Sequence, residues 1–314
     1  TGPTHWLNSV TWNGQQFVTI GDHQSILTSP DGQHWTRRLA QHTNWLSKIT
    51  WNGQQFLAVG GTGTILTSSD GNKWQTRDSG IKDSLIASAW NGQQFVVVGD
   101  GYTILTSPDG QHWSQHPAGS TDNLYGIAWG NEQFIAVGRN GAILSGNAEG
   151  KHWNIKASGT QQLLYSVVWN GSQFVAVGEA GTILTSPDGN SWQQQDSGTT
   201  NWLSELIWDG QHFIVVGENG IILSSHDGRK WSQKASGTRN SLYGITWDGQ
   251  QYVSVGKSGT IISSGDPDLA IKGRIKTSRN QGLPQLVQQY TIHNIGSGRA
   301  NDVVVSYDLP DKKS

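Results

Sequence analysis

Between Trp45 and Gly80 the apolar and polar positions fall into four short blocks. Leu46, Ile49 and Trp51 make the first block, which ends at Asn52-Gly53. Phe56-Leu57-Ala58-Val59 is apolar on consecutive residues and stops at Gly61-Thr62-Gly63. Ile65-Leu66 opens a third block that breaks at Asp70-Gly71, and a fourth runs from Trp74. Asn-Gly, Asp-Gly and Gly-rich steps supply the positive φ angles that tight hairpins need. The pattern predicts a four-stranded antiparallel meander. Its second and third strands are apolar on nearly every residue, as again in Phe95-Val96-Val97-Val98 and Ile221-Ile222-Leu223, which implies a sheet covered on both faces.

The same unit occurs seven times. Its first block ends at Trp12, Trp51, Trp90, Trp129, Trp169, Trp208 and Trp247, a period of 39 residues with a single step of 40. Four strands per period near forty predict an all-β seven-bladed β-propeller of four-stranded antiparallel blades, each face covered by a neighbouring blade. Residues 1–265 are assigned to this ring. Blade seven reads Gly265-Asp266-Pro267-Asp268-Leu269 where its last turn and tryptophan are expected. Residues 268–276 therefore either complete blade seven or open a new module.

Composition narrows the class. Gly (41 residues) and Trp (16) are overused, which suits a turn-rich β chain. The net charge is −2 and the 21 basic residues are scattered, so no basic stripe offers a phosphate-neutralising surface and nucleic acid is not expected as a partner. The sequence shows no apolar run of membrane-spanning length and no charged leader followed by an apolar core. The absence of Cys removes disulfides and thiolate metal sites. Absence of both Cys and Met, with Thr at position 1, suits a processed bacterial protein exposed to oxidants, so an extracellular, cell-surface or periplasmic location is expected.

The turn before the last strand reads Ser29-Pro30-Asp31-Gly32-Gln33-His34-Trp35. It recurs at 68–74, 107–113, 186–192 and 225–231, with a degenerate copy from Gly146 to Trp153. This resembles the Asp box (BNR repeat) of the sialidase-like propeller superfamily, one residue shorter than the usual motif. For Asp31, Asp70, Asp109, Asp188 and Asp227 a structural role is expected, the carboxylate accepting backbone N–H groups. His34, His112 and His152 occupy equivalent rim positions and cannot converge on one metal. The resemblance implies that a catalytic centre would lie at the opposite end and need three converging arginines. Only Arg139 and Arg239 fall there, so no catalytic residue and no cofactor is assigned.

Positions that vary between repeats carry the binding expectation. Six residues before the anchor Trp the blades read Trp6, Trp45, Ser84, Asn123, Leu163, Trp202 and Ser241, while five before it every blade has Leu. The variable residue, with Tyr125, Tyr165 and Tyr243 nearby, is expected to ring the channel mouth. Loops between second and third strands add Tyr102, Arg139, Glu179 and Glu218. Aromatic rings beside hydrogen-bonding groups suit protein or glycan recognition, or else pack the loops over the channel. Glu179 and Glu218, at the same loop position in adjacent blades, are the nearest approach to a glycosidase carboxylate pair.

Residues 266–314 resemble the first half of an immunoglobulin-like repeat of large bacterial surface proteins, on Asp268-Leu269-Ala270-Ile271, Tyr290-Thr291-Ile292, Val303-Val304-Val305 and Asp308-Leu309-Pro310. Such a half sandwich leaves strand edges open, and three explanations stand: it is a fragment of a longer sandwich, it packs on the propeller, or a partner chain donates the missing strands. The expected role is a non-catalytic interaction or structural protein of a bacterial surface or filament, with a protein partner or self-assembly through the C-terminal β segment. A lectin-like propeller and a glycoside hydrolase are the alternatives. Fold analogy alone adds assembly factors of membrane complexes such as photosystem II.

Overall fold

A computed structural model of the chain describes residues 5–39, 44–117 and 122–264, together with the backbone of two strands at 271–278 and 287–294. It is an all-β seven-bladed propeller. Blade one consists of Leu7–Trp12, Phe17–Gly21, Ile26–Ser29 and Thr36–Arg38, hydrogen-bonded in sequence order. Blades two to six repeat this order from Leu46, Leu85, Leu124, Leu164 and Leu203. Blade seven comprises Leu242–Trp247, Tyr252–Gly256 and Ile261–Ser264 among the described residues.

Packing follows from the consecutive apolar runs. Phe17–Gly21 and its counterparts are buried along their whole length, because each blade covers its neighbour on both sides. Each of the seven junctions has its own apolar cluster. Val18, Ile20 and Ile26 of blade one meet Leu46, Ile49 and Phe56 of blade two, and Leu7, Val10 and Phe17 meet Val253 and Val255 of blade seven, closing the ring. The fourth strands run only three or four residues and lie at the exposed periphery, where a neighbour no longer supplies cover. They are shorter than the sequence pattern suggests.

Within each blade the anchor tryptophan packs on the aromatic residue that follows the first turn, phenylalanine in six blades and Tyr252 in blade seven, as Trp12 on Phe17 with ring centres 4.4 Å apart. The Ser-x-Asp-Gly turns are held by their own side chains. Asp31 Oδ1 accepts the N–H groups of Gln33 and His34 at 2.9 and 2.8 Å, and Trp35 Nε1 donates to Gly32 O at 3.0 Å. Blade four does the same with an amide, Asn147 Oδ1 accepting from Lys151 and His152. These aspartates are structural, as their rim position implies.

Strand 271–278 pairs antiparallel with 287–294 as a separate two-stranded sheet. The domain boundary at 265 and the immunoglobulin-like reading of 266–314 otherwise lie outside the described residues.

Candidate functional site

The inner strands begin at the end of the ring opposite the Ser-x-Asp-Gly turns, and a β-bulge in each sets what they show to the channel. In blade one the register passes from Leu7 opposite Gly21 to Ser9 opposite Ile20, and all seven blades repeat this shift. A bulge puts two residues of one strand against one of its partner. The consequence is that residues five and two before the anchor Trp, such as Leu46 and Ile49, both face the interblade core. Residues four and three before it are left to the channel.

Those positions enclose a cavity of about 720 Å³ at the channel mouth. Six aromatic side chains line it: Tyr125, Tyr165, Trp202, Tyr243, Trp6 and Trp45, on blades four, five, six, seven, one and two in turn. They make a crescent broken at blade three, where Ile86 lines the wall. Trp6, Trp45 and Trp202 remain 46%, 38% and 49% exposed, well above the ordinary exposure of an indole held in a core. The rings form neighbouring pairs. Tyr125 lies 6.1 Å from Tyr165, Tyr165 lies 6.2 Å from Trp202, and Trp6 lies 5.6 Å from Tyr243.

Of the remaining sequence candidates, Glu218 lines the cavity, whereas Tyr102, Arg139 and Glu179 do not. Tyr102 occupies a left-handed position (φ 63°) in the blade-three turn. Arg139 and Glu179 open the short 3-10 turns Arg139–Gly141 and Glu179–Gly181. These turns sit hard against the incoming loop: a Cβ on Gly181 would stand 1.9 Å from Thr199 O. Glu179 still reaches the site indirectly, as the acceptor for Tyr165 Oη at 3.4 Å.

The cavity floor holds a group that the repeat reading passed over. Lys48 of blade two forms an ion pair with Glu205 of blade six across the channel. Glu205 also accepts Ser166 Oγ at 2.6 Å. Both charges stand three residues before the anchor Trp, where the other blades have Ser9, Ala87, Gly126, Ser166 and Gly244. The small residues leave the bore open enough for the two long side chains to meet. That column of five small residues and two opposite charges is the signal that marks them.

Electrostatics at the mouth are anionic. Burial pushes the Tyr165 phenol far above its usual range, and the carboxylates of Glu179 and Glu218 push it further. Tyr243 is raised by burial, with a hydrogen bond to Ser241 opposing and the Asp22 charge adding to the rise. Both therefore remain neutral hydrogen-bonding phenols at any physiological pH. Asp22 accepts from Asn8 Nδ2 at 3.1 Å, and Glu218 accepts from the backbone N–H of Trp202 at 3.3 Å. Among the described residues no three His, Cys, Asp or Glu side chains gather into a metal-holding group, and no helix is long and apolar enough to cross a membrane.

The sequence matches no protein-family model and no curated protein. Solved structures are similar in fold. One is YCF48 from Cyanidioschyzon merolae, with a TM-score of 0.68 and 14% identity over 83% of this chain and 96% of that one. Another is YCF48 bound to D1 peptide, with a TM-score of 0.68 and 16% identity over 83% of this chain and 92% of that one. At such identity the likeness establishes the shared propeller fold.

Proposed function

We propose that this chain is a non-catalytic protein-binding propeller that seats an extended peptide segment of a partner in its channel mouth. The observation that carries this reading is the crescent of six aromatic side chains around a 720 Å³ cavity, three of them exposed tryptophans. Soluble proteins seldom leave large indoles in water without a use for them, and Trp and Tyr are the residues that dominate binding hot spots. The tyrosines stand on paired inner strands and the tryptophans immediately precede them, which limits the loop ordering that binding would require. A propeller of the same fold, YCF48, has been solved bound to D1 peptide, which supports a peptide as the ligand class.

The finer parts of the reading extend this. The Ser-x-Asp-Gly turns, with aspartate accepting two backbone N–H groups in each, support kinship with Asp-box propellers. An extracellular, cell-surface or periplasmic setting is supported by the absence of Cys and Met. The C-terminal segment then serves assembly.

The test is fluorescence anisotropy with a panel of labelled peptides of varied composition, alongside oligosaccharides and chromogenic glycosides. Peptide binding that Trp202→Ala abolishes is the expected result. Saccharide binding without peptide binding, or glycoside turnover lost in Glu218→Gln, overturns it.

A further inference from the structure

Only two of the seven blade junctions carry a complete set of three recognition groups. At the junction of blades five and six these are Tyr165, Trp202 and Glu218. At the junction of blades seven and one they are Tyr243, Trp6 and Asp22. The two sets occupy identical repeat positions: a tyrosine four residues before one anchor Trp, a tryptophan six before the next, and an acid opening the next second-to-third-strand turn.

The two ring pairs are also alike in geometry, although the acids differ in what they accept, Glu218 the backbone N–H of Trp202 and Asp22 the side-chain amide of Asn8. The rings stand 6.2 Å apart at 36° in one and 5.6 Å apart at 43° in the other, each pair forming an open V. In each, as in every blade, the backbone N–H that opens the turn donates to the carbonyl of the residue six before the anchor Trp, at 2.8 Å from Glu218 to Trp202 and 2.9 Å from Asp22 to Trp6, so acid and indole branch from adjoining backbone. No other junction matches. Trp45 faces Asn8 and Gly61, so it lacks both tyrosine and acid. Tyr125 and Glu179 have Leu163 in place of the indole.

Charge decides what such a pair of sites receives. Four charged side chains line the cavity, and Lys48 and Glu205 neutralise one another. Asp22 and Glu218 remain, and neither meets a cation among the described residues. The negative faces of a tyrosine and a tryptophan beside an uncompensated carboxylate attract a cation, at about 6 Å from a ring centre or closer. Resting on the peptide-binding reading above, we propose that the mouth is a two-pronged receptor for a basic segment. One Lys or Arg side chain would lie against Trp202, Tyr165 and Glu218, and a second against Trp6, Tyr243 and Asp22. The subsites are two blades apart on a rigid ring, so one peptide reaching both gains from the second contact as an intramolecular event.

The experiment uses the full chain and short capped Gly-Ser peptides carrying two Lys or Arg residues at varied separations, one such residue, none, or two Glu. Anisotropy gives the affinity of each, and the readout is the preference for the doubly basic over the uncharged peptide. The expected preference is roughly tenfold or more at low salt, shrinking as ionic strength rises. Asp22→Asn and Glu218→Gln should each cut it severalfold, while Trp45→Ala weakens basic and uncharged peptides by the same factor and leaves the preference intact. Equal affinity for basic, neutral and acidic peptides, all lost in Trp202→Ala, would overturn the charge assignment and leave peptide binding standing. Failure of every peptide to bind would overturn both.

Discussion

The side-chain amide of Gln251 in blade seven donates to the backbone carbonyl of Asp31 in blade one at 2.9 Å, across 220 residues of sequence. The same latch joins Gln16 to Asp70, Gln55 to Asp109, Gln94 to Ala148, Gln133 to Asp188 and Gln173 to Asp227, at 2.7 to 2.9 Å. It ties the first hairpin of six blades to the turn before the last strand of the next blade, so that turn serves the ring as well as its own hairpin. Gln251→Ala is expected to destabilise the fold by about 1 kcal/mol, the usual net value of a hydrogen bond. Gln55→Ala should cost a similar amount, because the bond is the same. Urea denaturation measures both, and unchanged midpoints would show that the latches add nothing.

At the junction of blades six and seven the latch position is His212, whose ring lies 4.9 Å from that of His226. A different bond spans this junction: the Tyr252 hydroxyl donates to Asp209 Oδ2. The other six blades have Phe at the position of Tyr252, so the packing tolerates Tyr252→Phe and the substitution isolates the hydroxyl. Its loss should cost about 1 to 2 kcal/mol at neutral pH, since the acceptor is ionised.

That cost depends on pH with a definite sign. Burial pushes the Asp209 carboxyl up, but hydrogen bonds from Tyr252, His212 and Gln211 outweigh it and hold the carboxyl below its usual value. A depressed carboxylate contributes stability that is complete above its unfolded value of about 4 and disappears as pH falls through the folded one. The difference between wild type and Tyr252→Phe should therefore be largest at neutral pH and narrow below about pH 4. Denaturation curves at pH 7 and pH 3 give the comparison, and a gap that widens in acid would contradict the assignment.

The turn aspartates should make the whole ring acid-sensitive by the same linkage. Asp70, Asp109, Asp188 and Asp227 are held low chiefly by backbone N–H groups, from Lys73, His112, Asn190 and Lys230 respectively. In Asp31, burial acts upward but bonds from His34, Gln33 and Ser29 prevail. Stability should be level above about pH 5 and fall below about pH 4 as these groups protonate. Blade four shows the neutral solution, Asn147 accepting two N–H groups through its amide oxygen. A chain carrying Asp70→Asn, Asp188→Asn and Asp227→Asn should stay folded and show a shallower loss of stability in acid. An unchanged acid slope would remove these carboxylates from the cause.

The repeat pattern made the blades and most of the mouth legible because packing positions recur while channel positions vary. Trp6, Trp45 and Trp202 stand out against the Leu that follows each of them, and the structure places all three on the cavity. What the pattern could not show was the bulge. Strict alternation would send the third residue before the anchor Trp to the core with Leu46, yet the bulge turns Lys48 and Glu205 toward the channel. Tyr102, Arg139 and Glu179 were placed by loop position alone. Arg139 and Glu179 stand off the cavity wall although Glu218, opening the same kind of 3-10 turn, lines it, so loop position by itself does not decide which of these residues reach the site.

The Lys48–Glu205 pair, 29% and 12% exposed, spans the ring between blades that share no sheet. Removing one member leaves the other charge in a partly dry channel, whereas removing both leaves neither. Lys48→Met and Glu205→Gln should each destabilise the fold by about 1 to 3 kcal/mol, less than for a fully buried pair because water reaches Lys48. The double variant should cost less than the sum of the two, since each single change already forfeits the pair. The coupling measured by the double-mutant cycle in urea is thus expected to be favourable and to shrink only modestly with added salt, as screening is weak inside the bore. Additive costs would mean that the two charges act independently, each held by its own blade, and that the floor of the mouth is not a fixed cross-strut.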